Sequence, residues 1–418
     1  MLGSRYADSV LAMTFQLRRV HANSLARYKA MAPAQRREAV DAASRSILER
    51  NWVTAPGFTM PNRRKYPWQW LWDSCFHAIA WSRLGDARGV RELESVFSLQ
   101  LPSGFVPHMG YQTSPKSSLG LWHGPGRSDI TQPPMYGHAL RVLADRGFAV
   151  EHLRDAATAG LEYLFGHRRD PESGLVRVLH PWETGCDDSP RFDGWCDERF
   201  KERRWKARKR ELVRSIRLRD GAAWANPGFD VGSAGFSALV AFNAREAAEV
   251  TGDEGLRSKA SALAAAIDDQ WAPAQPTWRD VSLAGPRTTS AVRTLDALLP
   301  VLVSENPRYV DDAFAEIFDP GSFWRPFGPA GTSAREASYD PGRYWRGDAW
   351  PQEVYLLMVA AQRSGRRAEA ASLADKLVQG CIGSGYAERW NAETGAGLGA
   401  IPQGWAALAG EPSAMGYP

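Results

Sequence analysis

The chain has 418 residues but only four cysteines, and none are spaced as CxxC. Cys75, Cys186, Cys196 and Cys381 are scattered, which sets aside a zinc ribbon or a disulfide framework and reads as reduced thiols. No apolar run approaches the roughly 18 residues of a membrane span. The opening stretch MLGSRYADSVLAMTFQLRRVHANSLARYK lacks the basic, apolar, small-residue order of a secretory signal. The expectation is a soluble cytoplasmic protein with no membrane partner. The net charge of +4 is small for this length, which argues against a general nucleic-acid binder. Convincing alternating strands are also nearly missing.

What is abundant is tryptophan, with 17 residues in an otherwise ordinary composition of 44% hydrophobic and 23% charged. An indole face covers the C–H face of a sugar, but indoles also simply fill cores. Apolar residues recur at helical spacing in RREAVDAASRSILERNWV, DSCFHAIAWSRLG, YGHALRVLADRG, EHLRDAATAGLEYLFGHR, SAGFSALVAFNAREAAEVTG, DEGLRSKASALAAAIDDQW, YVDDAFAEIFD, PQEVYLLMVAAQRSG and RAEAASLADKLVQG. Several stop near Gly, and others start after Pro, Asp or Ser. Between these helices run long loops rich in Trp, Pro, Gly and acids, at 51–73, 100–133, 168–197, 319–350 and 383–404. Long loops in a compact chain usually carry function. Their interleaving with helix pairs predicts a closed ring of helical hairpins with the loops on one face. No composition shift marks a second domain, so residues 1–418 read as one domain, with 1–30 as an N-terminal helical extension.

Two loops hold clustered carboxyls. HPWETGCDDSPRFD (180–193) carries Glu183, Asp187, Asp188 and Asp193, which suit acid–base chemistry or plain turn and cap duty. Metal binding is the weaker reading, because the spacing lacks the calcium-loop pattern. SGYAERWNAETGAGLGAIPQGWAAL (384–408) carries Glu388, Glu393 and Trp405 beside a Gly-rich turn that lacks the Lys-Ser/Thr of a phosphate loop.

Six blocks in order, YPWQWLWDSCFHA (66–78), GFVPHM (104–109), TQPP (131–134), WETGCDDSP (182–190), YWRGDAWP (344–351) and ERWNAETGAGLG (388–399), resemble glycoside hydrolase family 63. They are most similar to its short bacterial members, which resemble mannosylglycerate and glucosylglycerate hydrolases. The resemblance implies an all-α (α/α)6 barrel, an inverting mechanism, and no metal or other cofactor. It places the general acid on Asp187 and the general base on Glu388. An inverting glycosidase needs two carboxyls about 6.5–9.5 Å apart, one protonated and one ionised. Asp188 and enclosure by Trp182 would push the proton affinity of Asp187 up. Two departures from the family pattern lie close by: Asp188 stands where Asn is common, and Asp348 where Pro is common.

By the same resemblance, Trp70 and Asp73 line the sugar pocket, although Asp73 reads equally as the N-cap of the helix that follows. Gln132 can both donate to and accept from hydroxyls. His108 is divided between sugar contact and structural support. His77 reads as a buried histidine. Trp345 and Arg346 suit stacking and bridging, or packing against a helix end. The basic run 201–220 is a solvated face, a lid bringing Arg to an anionic aglycone such as glycerate, or, least favoured, a nucleic-acid contact. The expected substrate is a small α-glucoside or α-mannoside, with glucosylglycerate or mannosylglycerate leading. An α-glucosidase for short oligosaccharides and a noncatalytic carbohydrate-binding protein are the alternatives.

Overall fold

A computed structural model describes residues 24–196 and 200–417. Most of the proposed N-terminal extension therefore lies outside the described residues. The chain is rich in helix, and the longer helices are α1 (Pro33–Asn51), α2 (Leu71–Arg83), α3 (Arg88–Phe97), α4 (Tyr136–Asp145), α5 (Arg154–His167), α6 (Glu202–Ser215), α7 (Ala234–Thr251), α8 (Glu254–Asp268), α9 (Pro307–Ile317), α10 (Pro351–Arg363) and α11 (Arg367–Ser384). Nine of these fall on the periodic segments of the sequence. Helix α3 falls outside the periodic segments, and α6 falls on the basic run 201–220.

Local chemistry accounts for many of the boundaries. Ser233, Asp253 and Asn306 accept from the backbone N–H of Phe236, Leu256 and Arg308 at the starts of α7, α8 and α9. Gly252 and Gly385 take left-handed conformations that end α7 and α11.

Six elements touch in a closed cycle: α2 with α4, α4 with α7, α7 with the 3-10 segment Asp296–Leu302, that segment with α10, α10 with the 3-10 segment Gly404–Gly410, and this last with α2. A second set packs outside them, with α3 on α2, α5 and α8 on α7, α9 on Asp296–Leu302, α11 on α10, and α1 on Gly404–Gly410. Burial follows this order. Every residue from Leu71 to Ser82 in α2 and from Pro351 to Ala361 in α10 is buried, so both helices are enclosed on all sides and are largely apolar, with Asp73, His77, Gln352 and Glu353 among the buried polar exceptions. Outer α3 buries only Gly89, Glu92, Leu93, Ser95 and Val96, one stripe at helical spacing. One hydrophobic cluster runs through these elements from Val40 to Ala409.

Strands are short, two to four residues, and every ladder between them is antiparallel. Several sit where a loop enters an inner element: Gln69–Trp70 before α2, Val231–Gly232 before α7, and Asp348–Ala349 before α10. They pin the loops whose side chains form the site. None of the described helices is long and apolar enough to cross a membrane.

The inner elements approach closely through glycine. A Cβ on Gly137 of α4 would collide with the backbone carbonyl of Asn243 in α7. Gly137→Ala is expected to lower unfolding stability by about 1–3 kcal/mol through overpacking. Gly166→Ala, where nothing lies within 4 Å, should leave it unchanged or raise it by about 0.5–1 kcal/mol. Urea unfolding of both variants checks the contrast.

Candidate active site

The loops converge on a funnel with a cavity of about 680 Å3, which opens at its base into a chamber of about 70 Å3. At roughly 10–15 Å3 for one water, the chamber holds several waters or part of one sugar ring. Tyr66, Trp70, Gln132, Asp187 and Tyr344 belong to both spaces, and Trp72, Asp73, Glu388 and Trp405 close the inner one.

The first wall comes from the entrance to α2. Gln69 and Trp70 pair with Gly110 and Met109, and the N–H of Leu71 donates to His108 O at 2.9 Å. This sets the rings of Trp70 and His108 edge to face at 5.4 Å. Asp73 is the third residue of α2, and the helix has no side-chain cap at Trp70, so the N-cap reading does not hold. Instead Asp73 accepts from Gln403 Nε2 at 3.3 Å. Burial and then the charge of Glu388 push its carboxyl well above the usual range.

His108 Nδ1 lies 2.6 Å from Ser128 Oγ, which itself donates to Ile130 O at 3.2 Å. The serine proton is thereby committed, so Nδ1 carries the imidazole hydrogen and Nε2 is left as an acceptor. Burial holds the ring neutral. The Nε1 of Trp70 and the Oε1 of Gln132 are buried without hydrogen-bond partners, free to pair with hydroxyls of a ligand.

Glu388 comes from the loop after α11. Its carboxylate accepts from Tyr66 Oη at 2.7 Å, Lys65 Nζ at 2.9 Å and the N–H of Ala400 at 2.7 Å. All three are donors. Trp405 Nε1 donates to Glu388 O at 2.9 Å. Gly399, at φ +80°, leaves room for this carboxylate, because a Cβ there would collide with Oε2.

Asp187 faces the same chamber. Tyr344 Oη donates to its Oδ2 at 3.4 Å, and Trp205 Nε1 of α6 donates to its backbone O at 3.1 Å. Burial pushes its carboxyl up to about 7; Lys209 and Tyr344 oppose the rise, and the charges of Asp188 and Glu388 add to it. An aspartate so placed holds its proton close to neutrality. Asp188 is buried and ion-paired with Lys209. Trp182 lines the funnel, with Lys209 Nζ 5.9 Å from its ring centroid.

Trp345 and Arg346 are not brought to either space. Trp345, at φ +60°, stacks on Trp350 at 3.7 Å and 7°. Arg346 pairs with Asp193 and lies over the ring of Phe200. The turn of the chain at Trp345 puts its neighbour Tyr344 on the cavity wall instead. Tyr66, Trp72, Tyr344, Gln403, Lys65, Lys209 and Arg389 were missed as site residues. The readable signal was clearest for Lys209, which falls in step with Trp205 and Leu212 on the buried stripe of α6.

Glu183 of the acid loop is structural. Both its oxygens take Arg168, and the N–H groups of Thr131 and Leu179 donate to it at 3.1 and 2.6 Å. Among the described residues, Cys186, Asp296 and Glu353 are close enough to share a cation. However, Arg191 already donates to Asp296 at 2.8 Å, and burial raises both the Cys186 thiol and the Glu353 carboxyl, which keeps them protonated. That donor set is poorly matched to a metal.

An indole-walled funnel with two dissimilar carboxyls at its base is the furnishing of a glycoside hydrolase. The chain belongs to the family described as the mannosylglycerate hydrolase MGH1-like glycoside hydrolase domain, which it matches over residues 66–406. It is 26% identical to a mannosylglycerate hydrolase of Rubrobacter radiotolerans over 88% of this chain and 94% of that protein. It is 25% identical to a glucosylglycerate hydrolase of Mycolicibacterium hassiacum over 82% and 91%. With a mannosylglycerate hydrolase of Thermus thermophilus, identity is 35%, but the match spans only 35% of this chain and 39% of that protein. Among solved structures, the family 63 mannosylglycerate hydrolase of Thermus thermophilus in complex with glucose shares the fold, with a TM-score of 0.76 and 23% identity over 89% of this chain and 99% of that one.

Removing one member of the buried Arg168–Glu183 pair leaves the other charge unpaired. Arg168→Met is expected to cost about 3–5 kcal/mol, read as a lowered denaturation midpoint. A loss below about 1 kcal/mol would mean that the pair does not hold the loop.

Proposed function

We propose that this chain hydrolyses a small α-glycoside of glycerate, glucosylglycerate or mannosylglycerate, with inversion at the anomeric carbon. Asp187 is the general acid and Glu388 the general base. The observation that carries the reading is the contrast between these two carboxyls at one chamber: burial pushes Asp187 up to about 7, whereas Glu388 accepts hydrogen bonds from an ammonium, a phenol and a backbone N–H. Asp187 gives its proton to the leaving oxygen, and Glu388 takes one from the attacking water. Trp70, Trp405, Asp73, Gln132 and His108 bind the sugar, with Nε2 of His108 accepting from a hydroxyl. The funnel beyond Asp187 presents Lys65, Lys206, Arg210 and Arg389, suited to a carboxylate on the aglycone. The names of the relatives and the family support this substrate class. The cycle of six inner and six outer elements around one core supports a single-domain (α/α)6 barrel.

Asp187→Asn and Glu388→Gln should each keep the fold by circular dichroism and lower hydrolysis of both glycerate glycosides by a factor on the order of 10²–10⁴. Wild-type turnover in either variant would remove the role from that residue. NMR of the released sugar should show the β anomer first. Because the acid must be protonated, kcat/KM should fall as pH rises through about 7. Methyl esterification of the glycerate should raise KM, and indifference to it would sink the anionic aglycone site.

A further inference from the structure

Helix α6 carries an outward face of exposed cations, among them Arg203, Arg204, Lys206, Arg210 and Arg214. Its buried stripe is Trp205, Lys209, Leu212 and Val213, and that stripe grips the acid loop at three points. Trp205 Nε1 donates to Asp187 O at 3.1 Å, Lys209 Nζ pairs with Asp188, and Lys209 O lies 2.9 Å from His180 Nε2. Lys209 is only 5% exposed and Asp188 only 3%, so the two form a buried ion pair.

We propose that Lys209 is a positioning residue for the reaction: its ammonium cancels the charge of Asp188, so that Asp187 faces a neutral pair, and α6 thereby sets the pH range in which the acid holds its proton. This rests on the assignment of Asp187 as the acid. The other groups acting on Asp187 are the Tyr344 hydroxyl and the Glu388 carboxylate, with Tyr66, Asp73 and Cys186 also within electrostatic reach. None of these belongs to α6.

The signs follow from the charges. Lys209→Met removes a positive charge that favours ionised Asp187, so the acid stays protonated to higher pH. Asp188→Asn removes a negative charge and leaves the ammonium uncompensated, so the acid loses its proton at lower pH. Asp188→Asn with Lys209→Met restores a neutral neighbour.

The test is the pH dependence of kcat/KM for the full chain on mannosylglycerate and, in parallel, glucosylglycerate. The basic limb should move up by about one pH unit in Lys209→Met and down by a similar amount in Asp188→Asn. The double variant should return to within a few tenths of wild type. A purely structural role would lower activity in the single variants and leave the limb where it is, which would overturn the proposal. If Lys209→Met does not fold, the opposed behaviour of Asp188→Asn and the double variant decides the matter. Loss of activity in Asp187→Asn together with unmoved limbs refutes only the role of Lys209. Retained activity in Asp187→Asn refutes the acid assignment itself.

Discussion

The buried ion pair between Arg168 and Glu183, both inaccessible to solvent, is the constraint on which the site depends. Arg168 follows the end of α5 and also donates to Ala223 O at 3.2 Å. Glu183 sits in the acid loop and accepts the N–H of Thr131, the residue before Gln132. A single charge pair therefore ties together the end of an outer helix, the loop carrying Gln132 and the loop carrying Asp187. Two charges taken this far out of water are stabilised by further hydrogen bonds to either partner; here these fall mainly on Glu183, since the Nε of Arg168 is buried without a partner. Glu183 has two backbone donors in addition to the guanidinium. The geometry of the acid loop is thus over-determined before any sugar arrives.

With the loops held, the difference between the two chamber carboxyls comes from their neighbours. Glu388 receives an ammonium, a phenol and a backbone amide; Asp187 receives one long phenol contact and sits among other acids. Both lie in the same low-dielectric chamber, where charge and hydrogen bonding act with little screening. The asymmetry between the two carboxyls therefore arises from which element each loop meets: Lys65 and Tyr66 precede α2, whereas Asp187 meets Tyr344 before α10.

Helical periodicity and turn chemistry made nine of the longer helices legible, because enclosed or half-enclosed helices write their burial into the sequence. The two inner 3-10 segments were not legible. Asp296–Leu302 contains Pro300, and Gly404–Gly410 is made of small residues around Trp405, so neither offers a repeat long enough to read. At the site, Asp187, Glu388, Trp70, Asp73, Gln132, His108, Trp182 and Trp405 do line the cavity. Their loops are recognisable as ordered blocks, yet the direction of each side chain is set by tertiary contacts. Trp345 shows the limit: its left-handed backbone turns the indole onto Trp350 and gives the cavity to Tyr344, which no spacing rule could predict. Lys209 was hidden differently, because ten basic residues in one run conceal the single one that points inward.

The two departures from the family pattern share one physical solution. Asp188 and Asp348 are both buried, and each meets a cation from a neighbouring element. Lys209 comes from α6 to Asp188. Arg389 comes from the strand beside Asp348 and donates to it at 2.5 Å, and Trp350 Nε1 adds a bond at 3.0 Å. An uncompensated carboxyl at Asp188 would raise the proton affinity of Asp187 further. Asp188 forms a buried ion pair with Lys209, whereas burial pushes the Asp348 carboxyl up to about 7 against the pull of Arg389. Lys209 and Arg389 also line the funnel. Each departure thus goes with a cation on the funnel wall, outside the inner chamber that Trp70, Trp72 and Trp405 line.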